Sequence, residues 1–240
     1  MKQVAQTVAE VTPQLAGLDT VAQLTYINSV FTNKAVFSTS FGLEDQVITH
    51  LIAENNLPIQ LATLDTGRLF PETYLAWNRT REKYGKAIHV FAPQADSVGE
   101  LLSQKGPFSF YESVENRKEC CRIRKVEPLK RMLIGMECWI TGIRAEQSDN
   151  RTNMPQFEWD DANQVFKFHP LLDWSLDKVK HFIETHNIPY NSLHDRNFPS
   201  IGCAPCTRAV APGQDVRAGR WWWESNNQKE CGLHEHPITK

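Results

Sequence analysis

The sequence predicts an α/β fold, a Rossmann-like parallel sheet with helices on both faces followed by a loop-rich C-terminal extension, and two observations carry that prediction. Over the first ~170 residues, short apolar runs alternate with longer helical patterns, the order that a parallel sheet covered by crossover helices requires. The runs themselves are β-branched or aromatic with little polar alternation, as strands buried on both faces are.

The elements follow in order. Ala35–Ser38, Ile59–Leu64, Ile88–Phe91 and Cys138–Ile143 read as strands, with Val165–His169 a less apolar fifth. Between them, Leu43–Asn55 places Val47, Ile48, Leu51 and Ile52 on one helical stripe. Pro71–Tyr84 opens with Pro at a first-turn position, where its missing N–H costs nothing, and Asp177–His186 shows the spacing V-x-x-F-I. From about residue 190 the pattern becomes loop-rich, with three cysteines and the run Trp221–Trp223. Residues 1–240 are read as one α/β domain whose last ~50 residues form a functional C-terminal segment.

Composition narrows the function. Hydrophobic residues make up 41% and charged residues 22%, which excludes disordered and collagenous classes. With Lys plus Arg at 26 against Asp plus Glu at 28, no bulk charge recruits nucleic acid or an anionic membrane, so any anion site is local. No stretch approaches the ~18 apolar residues of a membrane span, and the first residues lack a signal-peptide core, so a cytosolic protein is expected. Homo-oligomerisation is left open.

In doubly wound sheets ligands bind at the carboxyl ends of strands, and three such loops stand out. Ser38-Thr39-Ser40-Phe41-Gly42-Leu43-Glu44-Asp45 runs from a strand through hydroxyls and a Gly into a helix, a start whose N–H groups suit phosphate or sulfate oxygens. A plain N-cap followed by acids is the structural alternative. Asp65-Thr66-Gly67-Arg68 and Gly142-Ile143-Arg144, continuing to Arg151, each supply a Gly for close backbone approach and an Arg fork for an oxyanion.

The cysteines say more. In a reducing compartment, the adjacent pair Cys120-Cys121 and the C-x-x-C pair Cys203 and Cys206 point to metal chemistry. Neighbouring helical residues diverge by ~100°, which suits one small ion poorly and the separate irons of a cubane well. A [4Fe–4S] cluster is therefore favoured over zinc, with unliganded thiols a further alternative.

The segments STSFGLED, LDTGR, ECCRIRKVEPL, TGIRAEQSDNR, GCAPCTR, VRAGRWWWE and KECGLH, in order from Ser38 to His234, resemble the iron–sulfur branch of the thioredoxin-dependent APS/PAPS reductase family, the assimilatory adenylyl-sulfate reductases. The resemblance implies an adenine-nucleotide-α-hydrolase-like fold, a [4Fe–4S] cluster on Cys120, Cys121, Cys203 and Cys206, and a nucleophile at Cys231. It further implies sulfate-facing cations at Lys125, Arg217 and Arg220, adenosine 5′-phosphosulfate (APS) as substrate and thioredoxin as transient partner.

The residues agree with that mechanism on their own terms. With four cysteines given to the cluster, Cys138 lies in a buried strand, where packing is its expected role. Cys231 remains, and Lys229 and His234 beside it would favour the thiolate. Lys125 follows Cys121 by four residues, so helical spacing places both on one face. Trp221–Trp223 are read as packing. Use of the 3′-phosphorylated nucleotide (PAPS), alone or with APS, is the nearest alternative. An ATP pyrophosphatase would read S-G-G-x-D where this chain has STSFGLED, and an iron–sulfur or zinc sensor would leave Cys231 and the anion loops without work.

Overall fold

The computed structural model describes residues 2–147, 151 and 153–224. The chain groups into two compact units, neither contiguous in sequence: Met1–Thr63 with Leu75–His89 and Leu133–Asn191, and Leu64–Tyr74 with Val90–Met132 and Ser192–Lys240.

The first unit is organised by a six-stranded sheet. Its strands are β1 (Ala35–Thr39), β2 (Gln60–Leu64), β3 (Ile88–Phe91), β4 (Cys138–Ile140), β5 (Phe157–Asp160) and β6 (Val165–Phe168), in the order β3-β2-β1-β4-β6-β5. Strand β1 pairs in parallel with both β2 and β4, and β4 in parallel with β6. The chain steps outward from β1 through β2 to β3 and then returns to β4 on the other side, so the order reverses between β1 and β4. That reversal opens the crevice where doubly wound sheets bind ligands.

The predicted strands are present, the first one residue longer, the one at Ile88–Phe91 as expected and the other three shorter, and the sheet is mixed rather than wholly parallel. The edge strand β5 runs antiparallel to β6 and was not read from the sequence. Its turn is built by Asp160, whose Oδ1 accepts from the N–H groups of Ala162 at 3.0 Å and Asn163 at 3.1 Å. Asp160 also pairs with buried Lys167 at 2.6 Å, so a charge pointing into the sheet's interior is met by a partner, as burial demands.

The helices are α1 (Lys2–Leu15), α2 (Thr20–Val30), α3 (Leu43–Glu54), α4 (Pro71–Tyr84), α5 (Ala95–Lys105), α6 (Val114–Cys121), α7 (Glu127–Met132) and α8 (Leu176–Thr185). Two have side-chain N-caps in the first unit: Asp19 accepts from Ala22 N–H at 2.8 Å and Ser175 from Lys178 N–H at 3.1 Å. The single stripe expected of α3 understates its burial. Gln46, Thr49, His50 and Ala53 are buried along with the apolar positions, so α3 is a central helix; Gln46 Nε2 donates to Thr80 Oγ1 at 2.7 Å and Thr49 Oγ1 to Asp45 O at 2.8 Å. The core joins α3 to both sheet and helices through Leu24, Ile27, Phe37, Ile48, Ile52, Ile140 and Phe168. Cys138 is fully buried in that core and burial pushes its thiol pKa far up, which suits packing and not nucleophilic work.

In the second unit, Ser113 caps α6 by accepting from Asn116 N–H at 3.1 Å, and Arg122–Val126 continues as a π-turn into α7. Residues 192–224 are held mainly by short 3₁₀ turns and loop hydrogen bonds. Among the described residues no helix is long and apolar enough to cross a membrane.

Candidate active site

Two of the three sequence-predicted loops meet in the first unit. After β1, the chain turns through Phe41, whose φ of +62° is unusual for a bulky residue. The turn is tied by Phe41 N–H donating to Thr39 Oγ1 at 3.0 Å, and Phe41 is stacked on Trp77 with centroids 5.5 Å apart. Ser38 Oγ accepts from Trp139 Nε1 at 2.7 Å, which leaves its own O–H to point elsewhere. Gly42 is the N-cap of α3 and offers no side-chain cap, so the N–H groups of the first turn keep their preference for an anion.

The loop after β4 closes on the same helix. Arg144 is buried and donates to Glu44 at 2.8 Å and Glu146 at 3.0 Å. Its charge is thus already matched within the unit, where the sequence offered it as an oxyanion clamp. A Cβ built on Gly142 would lie 2.1 Å from Asp45 Oδ1, so only glycine lets this loop approach α3. Arg151 donates to Gln147 Oε1 at 2.6 Å.

The remaining loop belongs to the second unit. Asp65 Oδ1 accepts from Gly67 N–H at 2.8 Å and from Tyr74 O–H at 2.9 Å. Thr66 is buried and meets the cysteines: Cys203 Sγ lies 3.3 Å from its Oγ1. The carbonyl of Arg68 accepts from Ala204 N–H at 2.8 Å, and its guanidinium donates to Pro107 O at 2.7 Å. Thr66 and Arg68, expected at substrate, therefore also support the cysteine site.

All four paired cysteines line one cavity, together with Arg68, Phe110, Arg117, Arg124, Lys125 and Pro205. Local folding explains the convergence. Cys120 and Cys121 end α6, and the π-turn that follows widens the helix and brings Lys125 round to the cavity. The shared face expected for Cys121 and Lys125 is present, through a π-turn in place of an α-helical one. Opposite, Cys203-Ala204-Pro205-Cys206 forms a 3₁₀ turn closed by Cys206 N–H to Cys203 O at 3.0 Å. Gly202 precedes it because Arg220 packs there: a Cβ would stand 2.4 Å from its Nη2.

Burial disfavours free thiolates in this cavity, and the cations around it oppose that effect. Burial pushes the Cys206 thiol up to about 12, with Cys203 and Cys121 adding to the rise and Lys125 and Arg220 opposing it. Burial likewise raises Cys120 against the pull of Arg124 and Arg68. Among the described residues no three metal-binding side chains sit close enough to hold a single ion. Buried N–H donors on Arg124 Nε, Arg220 Nε, Trp221 Nε1 and Trp223 Nε1 have no hydrogen-bond partner among the described residues, a donor excess near the paired thiols.

Arg117 and Arg124 were not singled out from the sequence. They stand three residues before and four after Cys120, spacing that places both beside it on a helix. Trp221 is fully buried between Arg117 at 4.6 Å and Arg220 at 4.9 Å from its ring, as packing requires. Arg217 N–H donates to Asp215 Oδ1 at 2.8 Å. Cys231 and His234 lie outside the described residues.

Residues 34–209 match the protein family described as phosphoadenosine phosphosulfate reductase domain. The chain belongs to that family. Among its curated relatives, adenosine 5′-phosphosulfate reductase of Allochromatium vinosum is 53% identical over 204 residues, spanning 85% of this chain and 80% of the relative. Proteins of the same name from Neisseria meningitidis serogroup B and Agrobacterium fabrum are 50% identical over 202 residues and 46% over 220, covering 84% and 92% of this chain and 82% and 84% of theirs. The crystal structure of phosphoadenylyl-sulfate (PAPS) reductase from Candida auris superposes with a TM-score of 0.71 at 27% identity, covering 85% of this chain and 96% of that one. Yeast FAD synthetase shares the fold alone, at 16% identity and a TM-score of 0.53 over 86% of this chain and 75% of its own. The reductase is thus an oxidoreductase acting on a sulfur group.

Proposed function

We propose that this enzyme reduces APS to sulfite and AMP through an S-sulfonate on Cys231, carries a [4Fe–4S] cluster on Cys120, Cys121, Cys203 and Cys206, and takes its electrons from thioredoxin. The observation that carries the reading is the convergence of two sequence-distant cysteine pairs on one cavity lined by four cationic side chains, in a chain about half identical to relatives named for APS reduction.

Two observations support such a cluster: four buried or half-buried thiols lining one cavity, and surrounding cations with unpartnered N–H donors. When bound, the cluster would supply a fixed, partly delocalised charge held by four thiolates. Arg68, Arg124 and Lys125 would offset the charge of those thiolates, Arg117 being paired with Glu224.

The chemistry itself belongs to the chain's residues. The α3 N-terminus and the Ser38 hydroxyl receive anionic oxygens of the nucleotide, and Lys125, Arg217 and Arg220 offset the charge of phosphosulfate and approaching thiolate. The Cys231 thiolate attacks the sulfonyl sulfur, the S–O bond to phosphate breaks, and AMP leaves with the bonding pair. One thiolate of an external dithiol then attacks the Cys231 sulfur and expels sulfite. The second thiol resolves the mixed disulfide, so the dithiol supplies both electrons and Cys231 is regenerated.

Sulfite release from APS and from PAPS, measured side by side with thioredoxin, tests the reading, with turnover on APS expected. Mixing the protein with APS and no reductant should add one SO₃ group at Cys231 by intact mass, removed by a dithiol. A Cys231→Ser protein that gains the same mass, or turns over normally, would overturn the assignment.

A further inference from the structure

A buried carboxylate at the start of a helix that receives anions needs a reason, because its charge opposes the ligand. Asp45 is such a group, nearly fully buried in the first turn of α3. Its Oδ2 accepts from Ser40 N–H at 2.6 Å and from Ser40 O–H at 2.7 Å. Its Oδ1 lies where a Gly142 Cβ would collide, at 2.1 Å. The neighbouring acid, Glu44, takes the Nε of Arg144 at 2.8 Å. Two consecutive acids on one helical turn thus hold the loop after β1 and the loop after β4, which flank the point where the strand order reverses.

The contacts also redistribute the donors available to a ligand. Ser40, exposed and read from the sequence as an anion contact, spends both its N–H and its O–H on Asp45. Phe41 can hold its positive φ because the residues on either side are pinned, Ser40 by Asp45 and Gly42 as the helix cap. The loop is consequently shaped before any ligand arrives, which reduces the ordering cost of binding.

We infer that Asp45 is a positioning residue for nucleotide binding: it fixes the loop of Ser38–Gly42 through Ser40 and sets the approach of the Gly142 loop, without touching the reacting atoms. This rests on the nucleotide reading above, and AMP binding by the wild-type enzyme tests that reading separately. If wild type does not bind AMP, the proposed function fails; the inference about Asp45 is then judged by the ligand-free measurement below.

The experiment uses the anaerobically prepared full chain. Asp45→Ala should weaken AMP binding, measured by calorimetry, and raise KM for APS by about tenfold, while kcat at saturation falls less than threefold, since binding geometry and not transition-state charge is lost. Without ligand, hydrogen exchange should quicken in both the 38–42 and 141–144 segments. Gly142→Ala should weaken AMP binding too, and adding Asp45→Ala to it should cost little more, because the colliding carboxylate is gone. Asp45→Asn, which keeps the size and one acceptor, should recover most of the affinity and serves if the Ala variant does not fold. AMP binding and exchange within twofold of wild type in both Asp45 variants would overturn the inference, as would losses from Asp45→Ala and Gly142→Ala that simply multiply.

Discussion

Glu224→Gln should destabilise the second unit by about 3 kcal/mol, toward the lower end of the range for breaking a buried ion pair because Gln keeps one acceptor. Glu224 receives Arg117 through two hydrogen bonds, Nε to Oε1 at 2.8 Å and Nη2 to Oε2 at 3.0 Å. The side chains are only 5% and 6% exposed, so water cannot replace the lost charge. The guanidinium also lies 4.6 Å from the Trp221 ring, and an uncompensated cation there stays buried. For a chain of this size the loss corresponds to roughly 6–12 °C in Tm. Thermal unfolding of the anaerobic holoprotein, followed by tryptophan fluorescence, reads it directly. Arg117→Met with Glu224→Met should recover most of the stability, since removing both charges leaves none unpaired. A Glu224→Gln protein within ~1 kcal/mol of wild type, or a double variant worse than the two singles combined, would refute the reasoning. Because Glu224 lies seven residues before Cys231, loss of this anchor should also slow sulfonation.

Serine at any one of Cys120, Cys121, Cys203 or Cys206 should lower iron content below about four per chain and bleach the visible colour; one zinc per chain with full activity would contradict this. Alanine at Lys125, Arg217 or Arg220 should cut turnover by an order of magnitude or more, and three variants with wild-type kinetics would return these residues to a structural role. Asp45 gives a pH signature. Burial raises its pKa from 3.8 to about 6, against the opposing bonds from Ser40. Between those values the folded state binds the extra proton, so stability falls as pH rises through the window, by roughly 3 kcal/mol in all, and Asp45→Asn should flatten that slope in urea-unfolding series at pH 4 to 7.

Period and residue type alone determined that the core is a mostly parallel α/β sheet, because the apolar runs around Val36, Leu61, Trp139 and Phe166 need no partner to be recognised as strands. The cysteine spacing likewise pointed to a shared site, and the structure brings the two pairs, more than 80 residues apart, to one cavity. The antiparallel edge strand was hidden, because Phe157–Asp160 carries as much charge as apolar surface and its pairing with Val165–Phe168 depends on a turn built by Asp160. Tertiary structure alone decided how the charges are used. Arg144 and Ser40 read as ligand contacts along the chain. The structure also gives them internal partners, Glu44 and Asp45, from a helix whose burial on nearly every side brings those acids against two loops at once. Arg117 and Arg124 look like surface charges until the π-turn and the Cys203–Cys206 turn enclose them with the thiols. A charge's role depends on what is buried beside it, and burial is set by packing between segments far apart in sequence.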